Sequence, residues 1–305
     1  MSNEPESIRG ILPVVHMPYH EDLQIDFATL RREVDYLFDT GANGLCLALV
    51  SDTLRLTAQE RLDMPAHLVE FAQERGPVII SVGAESTVQA RAFARAAEDG
   101  GATGLMVIPP LSQALAEPQL AEFFEELLEE VALPIIIQDA SSYVGRPMSV
   151  TFQAELFRKQ GERILFKPEA SPLGPCISAI RDLTDGQAKI FEGSGGVLLI
   201  DSYRRGVAGT IPGVELLDAL VALWRACVAG DWDRAYEVYL PICAIATLQT
   251  QGGLDGYIVS ERHLLHRQGL FPNQVHRGPL SYELDGETRA EIDRLYDLLQ
   301  AVLHS

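Results

Sequence analysis

Residues 164–171 read Ile-Leu-Phe-Lys-Pro-Glu-Ala-Ser, an apolar run that ends on Lys167, with Glu169 two positions further on. Lysine is among the side chains least often buried, because an ammonium taken into an apolar setting without a partner is costly enough to give up its proton. An amine in that state is a nucleophile toward ketones. If the run is a β-strand, its period of two places Lys167 and Glu169 on one face. The pair then offers an amine nucleophile beside an acid/base carboxylate, the two groups imine chemistry needs. The alternative is structural: Lys167 reaches solvent from a strand end, or Glu169 pairs with it and keeps it charged.

Other chemistry-bearing residues sit at the ends of similar runs. Gln138, in phase with Ile136, is a neutral hydrogen-bonding group, whereas its neighbour Asp139 falls on the opposite face and is expected to brace an adjacent strand. After "ALV", Ser51 and the N–H groups from Val50 through Asp52 to Thr53 could form an anion nest suited to a carboxylate, or an ordinary turn. "EGSGG" (192–196) could let the backbone at Gly193 and Ser194 approach a ligand, but it matches no phosphate-loop pattern and a tight turn is the stronger reading. His16 and His20 lie near the end of the first run with no third ligand nearby in sequence, so no metal site is expected and both are placed at the surface or behind the site.

Eight apolar runs must position these groups: 10–19, 41–50, 77–84, 104–110, 133–140, 164–170, 188–196 and 206–213. Between most of them lie stretches with apolar residues at three- and four-residue spacing, several opening on Asp, Ser or Thr and closing on Gly. Strand and helix alternating eight times predict an α/β fold, a (β/α)₈ barrel of parallel strands over residues 1–213. In such barrels the chemistry lies at the C-terminal ends of the strands, where Lys167 falls. From residue 214 to 305 the pattern changes to helical stretches without intervening strands, which predicts a C-terminal helical appendage.

The chain has 305 residues and a formal net charge of −19, which disfavours nucleic acid or an anionic membrane as partner. An anionic small molecule is still admissible, since a local cluster of N–H groups can overrule the global field. Cys46, Cys176, Cys227 and Cys243 are widely spaced with no ligand pattern and are expected to be reduced, in the cytoplasm. The opening "MSNEPESIRG" lacks the basic and then apolar pattern of a leader, and no apolar run approaches the roughly 18 residues of a membrane span.

With these residues in view, nearly the whole chain resembles the dihydrodipicolinate synthase and N-acetylneuraminate lyase family of Schiff-base-forming barrels. The resemblance rests on "GILPVVHMPYHEDLQIDFATL", "LTAQER", "PIIIQDASSYVG" and "FKPEAS". It implies that Lys167 forms an imine with the ketone of a 2-keto acid and that no cofactor is needed. The family's Gly-Thr-Thr-Gly-Glu loop is here Ala48-Leu49-Val50-Ser51-Asp52. Its strand-five tyrosine is replaced by Gln138, its following arginine by Tyr143, and the paired tyrosines of the strand-four loop by Pro110-Leu111. These departures disfavour the synthase reaction itself. The combination of Ser-Asp, Gln-Asp-Ala and Lys-x-Glu is instead similar to the branch that dehydrates 2-keto-3-deoxy sugar acids, such as L-2-keto-3-deoxyarabonate dehydratase. On that resemblance Glu169 takes the C3 proton and assists departure of the C4 hydroxyl, Gln138 holds substrate hydroxyls, and Ser51 with its neighbours holds the carboxylate. A pyruvate-dependent aldolase or lyase and a non-catalytic keto-acid sensor are the competing readings. Relatives suggest a homo-oligomer, a tetramer or dimer.

Overall fold

Each of the eight apolar runs contains a short parallel strand in the computed structural model, which describes residues 8–305; most of the N-terminal stretch examined for a leader lies outside them. The strands are β1 (Gly10–Ile11), β2 (Leu45–Leu47), β3 (Val78–Ser81), β4 (Gly104–Val107), β5 (Ile135–Asp139), β6 (Ile164–Pro168), β7 (Phe191–Glu192) and β8 (Gly209–Thr210). Two ladders, β2-β3-β4-β5-β6 and β1-β8-β7, are joined by parallel bridges between Val14 and Cys46 and between Phe166 and Ile190. The sheet closes into a (β/α)₈ barrel. The connecting helices are α1 (Phe27–Thr40), α2 (Ala58–Ala72), α3 (Thr87–Asp99), α4 (Glu117–Glu130), α5 (Val150–Gln160), α6 (Leu173–Leu183) and α7 (Leu199–Arg204), then α8 (Leu217–Ala229) after β8. Asp26, Thr57, Ser86 and Ser149 cap α1, α2, α3 and α5 by accepting from N–H groups of the first turn, which fixes where those helices begin.

Strand periodicity sorts the apolar residues into two layers. Val14, Cys46, Ile79, Met106, Ile136, Leu165, Phe191 and Ile211 fill the barrel interior, whereas Leu45, Ile80, Leu105, Ile137 and Phe166 pack outward against the helices. Two residues beyond the interior pair Ile136 and Leu165 come Gln138 and Lys167, which stand opposite each other in the β5–β6 register. Both side chains therefore point into the barrel mouth.

The barrel runs past residue 213, the boundary expected from sequence. Leu217 and Val221 of α8 join the layer between sheet and helices, while Leu220 and Leu223 face α9 (Trp232–Thr250), so one helix serves barrel and appendage together. The appendage is completed by α10 (Gly253–Arg267) and α11 (Gly286–Leu303). Helix α10 had no counterpart in the sequence reading. Every residue from Asp255 to Leu265 is buried, so the polar stripe that reveals an amphipathic helix is missing. Arg262 of this helix donates to the Met17 carbonyl at 2.9 Å and lies 3.5 Å from Asp52. Asp255 accepts from Arg55 at 2.6 Å and from the Ser281 N–H and hydroxyl. Among the described residues no helix is long and apolar enough to cross a membrane.

Buried charges lose most when one partner is removed, because the other is left without compensation. Arg262→Leu, which leaves Asp52 with Arg55 alone and strands the Met17 carbonyl, is expected to lower the unfolding free energy by about 3 kcal/mol. Urea unfolding followed by circular dichroism measures this, and a loss below about 1 kcal/mol, the scale of an exposed pair, would mean that the Arg262 contacts do not hold α10 in place.

Candidate active site

Lys167 ends β6 with 4% of its surface exposed, and its Nζ lies 3.1 Å from Glu169 Oε1. The other carboxylate oxygen of Glu169 accepts from Gln138 Nε2 at 2.6 Å. These three residues, expected together from strand phase, are brought together on the mouth of one cavity. Gln138 Oε1 is buried without a partner, which leaves an acceptor for a hydroxyl of a bound molecule. Burial raises the carboxyl of Glu169 above the ordinary range, opposed by Lys167 and then by the Gln138 hydrogen bond. A carboxyl raised toward neutrality can both take and give a proton. Burial also pushes the Cys46 thiol, inside the barrel, up to about 12, which makes it inert as a nucleophile.

Gly193 lines the same cavity, and its lack of a side chain is a requirement of space. A Cβ there would come within 2.7 Å of both Lys167 Cε and Glu169 Cγ. Ser194 does something else: its hydroxyl and N–H donate to Glu192, which also accepts from Thr210, and it is absent from the cavity wall. Its expected contact with substrate is replaced by a role in holding the β7 turn.

The strand-two loop divides in the same way. Val50 and Leu49 reach the cavity, at the start of a short 3₁₀ turn (Leu49–Ser51) whose first N–H groups lack intrahelical partners. Ser51 is fully buried, with its hydroxyl donating to the Val15 carbonyl and accepting from the Ala48 N–H. Asp52, in a left-handed conformation, turns to Arg55 and Arg262. The nest expected at Ser51 and Asp52 is thus spent on the fold, and only the Val50 end faces the site. Asp139 accepts from the N–H groups of Ser141 and Met148 and braces the β5 loop, on the outward face where strand phase placed it.

His20 is exposed, whereas His16 is completely buried, so of the two positions expected for the pair, His20 takes the surface one and His16 does not. The fold supplies partners that sequence neighbours could not: Glu33 accepts from the His16 N–H at 2.8 Å, and Glu261, 245 positions away, hydrogen-bonds to Nε2. Glu215 completes a group whose donor and acceptor atoms lie within 4.8 Å of one another. Burial alone would lower the His16 pKa, but Glu261 and Glu33 outweigh it and push it up to about 10. Burial raises the Glu261 carboxyl well above its ordinary range, against His16 and with the help of Glu215. Tyr143, noted in the sequence only as a substitution, and Tyr257, on the unforeseen α10, also line the cavity. Burial raises both phenols, so both stay protonated.

Comparison with known proteins follows from this geometry. The dihydrodipicolinate synthetase family profile matches residues 7–293. L-2-keto-3-deoxyarabonate dehydratase of Azospirillum brasilense is 30% identical over 93% of this chain and 92% of its own. The 4-hydroxy-tetrahydrodipicolinate synthase of Methanothermobacter thermautotrophicus is 28% identical over 76% of this chain and 85% of its own. Among solved structures, dihydrodipicolinate synthase from Rhodopseudomonas palustris superposes with a TM-score of 0.86 at 25% identity, covering 97% of this chain and 98% of that one.

Two outcomes test the site as built. Gly193→Ala is expected to cut covalent capture of pyruvate at Lys167 by about 10²-fold, the scale of an ångström displacement of a reacting group, in a variant that stays folded; capture at the wild-type rate would show that the Lys167–Glu169 contact tolerates a methyl group. His16 carries its proton to about 10 when folded against 6.5 in its ordinary state. Its contribution to stability is therefore full below pH 6.5 and is lost as pH rises through about 10. Urea midpoints measured from pH 6 upward should fall over that window in the wild type and stay flatter in His16→Gln.

Proposed function

The chain belongs to the dihydrodipicolinate synthetase family, whose members are lyases and dehydratases, and on that membership and the geometry of the site we propose that it dehydrates a 2-keto-3-deoxy sugar acid through an imine on Lys167. The observation that carries the reading is the buried Lys167–Glu169–Gln138 group, an amine, a carboxyl of raised pKa and a neutral amide with one free acceptor. Lys167 is the one cationic side chain among the described residues lining the cavity. A substrate with a single carboxylate beside its ketone suits that charge; a second carboxylate would enter without a partner.

In this reading Lys167 passes a proton to Glu169 as its nitrogen attacks the C2 ketone, and Glu169 returns that proton to the departing hydroxyl, which leaves as water to give the iminium. The positive nitrogen acidifies C3, and Glu169, 3.1 Å from Nζ, removes a C3 proton to leave the enamine. Electrons returning from nitrogen through C2 and C3 expel the C4 hydroxyl, which leaves as water once protonated. Gln138 Oε1 receives a substrate hydroxyl, and the N–H groups at Leu49 and Val50 receive the carboxylate. The lysine nitrogen is the electron sink, so the reading assigns no cofactor.

The same reading places the protein in the cytoplasm, supported by four unpaired cysteines. It also assigns a homo-oligomer, supported by exposed Leu240 and Tyr236 on α9.

Borohydride reduction in the presence of 2-keto-3-deoxy-L-arabonate or pyruvate, read by intact mass and peptide mapping, tests the chemistry. The expected result is an adduct on Lys167, absent in Lys167→Ala, together with formation of 2-oxoglutarate semialdehyde from the sugar acid. Pyruvate plus an aldehyde as products would assign aldol cleavage instead, and an adduct with no turnover of any sugar acid would assign a sensor. Glu169→Gln should retain the adduct and lower the rate of C3 proton loss by about 10²- to 10⁴-fold, the usual contribution of a positioned acid/base group.

A further inference from the structure

Dehydration asks for two proton transfers, one from C3 and one to the C4 hydroxyl, and Glu169 stands beside the imine nitrogen, where the first occurs. The residue that answers the second comes from the appendage. Tyr257 of α10 is 6% exposed and forms the cavity wall across the β7 loop from Lys167. Gly193 and Gly195, two positions apart, define this placement. A Cβ at Gly193 would strike Lys167 and Glu169, and one at Gly195 would come within 2.3 Å of the Tyr257 hydroxyl. The same glycine-rich turn therefore seats the amine and carboxyl on one side and the phenol on the other.

Behind Tyr257 lies a set of groups that the mechanism so far leaves idle. Glu261 follows one helical turn later on the same face of α10. It and Glu215 converge on Gly213, another residue of the cavity wall, where a Cβ would meet Glu261 Oε1 at 2.1 Å and Glu215 Oε2 at 2.3 Å. Both of those oxygens are buried without a hydrogen-bond partner among the described residues. An oxygen of each carboxyl lies within 4.8 Å of the other, and burial, with Glu215 beside it, raises Glu261 well above the ordinary range, so a proton is favoured on that carboxyl. His16 holds the far oxygen of Glu261, and Gln249 donates to Glu215 Oε1 at 3.0 Å. The free oxygens thus lie against Gly213, behind the cavity wall and one helical turn along α10 from Tyr257.

We propose that Tyr257 is the acid that protonates the departing C4 hydroxyl, and that the Glu215–Glu261 pair returns a proton to it after each turnover. The step balances without any co-reactant. The enamine electrons form the C3–C4 double bond as the C4–O bond breaks, the oxygen takes the phenolic proton and leaves as water, and the phenolate takes the proton held by the Glu215–Glu261 pair. That pair regains its proton from solvent; Glu169 holds the C3 proton only while the C4–O bond breaks and returns a proton to carbon as the unsaturated iminium isomerises, and water then hydrolyses the iminium to free Lys167 and the semialdehyde. The inference rests on the dehydratase reading above and adds to it the origin of the second proton.

Tyr257→Phe separates the steps. With 2-keto-3-deoxy-L-arabonate in deuterated water, three quantities are read on wild type and variant: the borohydride adduct on Lys167, deuterium entering C3, and semialdehyde formed. The variant is expected to keep the first two and to lose semialdehyde formation by about 10²- to 10⁴-fold. Semialdehyde at the wild-type rate would overturn the assignment, as would parallel loss of all three in a folded variant, which would make Tyr257 a positioning residue. If the wild type itself forms the adduct and exchanges C3 but releases no semialdehyde, the dehydratase reading fails first and Tyr257 has no hydroxyl to protonate. Glu261→Gln, nearly isosteric, supplies an independent reading: the first turnover should proceed as in wild type and later ones slow, whereas an unchanged steady state would remove the carboxyl pair from the relay.

Discussion

A lysine and a glutamate held 3.1 Å apart, each more than nine-tenths buried, set the terms for the structure around them. Taking both groups out of water is costly unless every remaining donor and acceptor finds a partner. Gln138 takes one oxygen of Glu169, Gly193 leaves room for both side chains, and the β5–β6 register places Gln138 opposite Lys167. The acceptor that stays unpaired, Gln138 Oε1, belongs to a residue of the cavity wall. An unmet hydrogen bond is affordable where a ligand completes it.

The same constraint explains why the mouth needs a cover. A barrel open to water would solvate Lys167 and Glu169 and bring the raised carboxyl of Glu169 back toward its ordinary value. Helix α10 closes the mouth, and it is fixed by charges that are themselves buried: Arg262 against Asp52 and the Met17 carbonyl, Asp255 against Arg55 and Ser281. The strand-two loop therefore works in two directions. Its Val50 end meets the cavity, and its Asp52 end ties down the cover. With Tyr257 and Glu261 on that cover, the appendage is joined to the chemistry as well as to the packing.

The acidity of the chain is distributed to the same end. The formal charge of −19 counts buried carboxyls as well as exposed ones, and in the interior Glu33, Glu215 and Glu261 gather around His16. His16, raised to about 10, stays charged there, and burial raises both Glu261 and Glu33. The cluster as a whole is a place where protons are kept.

The sequence by itself determined the eight alternating elements and the side of the barrel on which Lys167, Glu169 and Gln138 appear, because strand period and helix capping are local and each apolar run carries its own phase. It also placed Asp139 on the outward face, for the same reason. It misassigned Ser51, Asp52 and Ser194, whose residue types suit ligand binding and structural bonding equally well; only the neighbours Val15, Arg262 and Glu192 decide between them. It passed over α10, because a helix buried on all sides has no polar stripe to show its period. And it left His16 without partners, because Glu261 lies 245 residues away and is brought to it only by closing the barrel and folding the appendage across its mouth. What is periodic along the chain was legible in the residues; what depends on which distant groups meet in a space without water was decided by the tertiary structure.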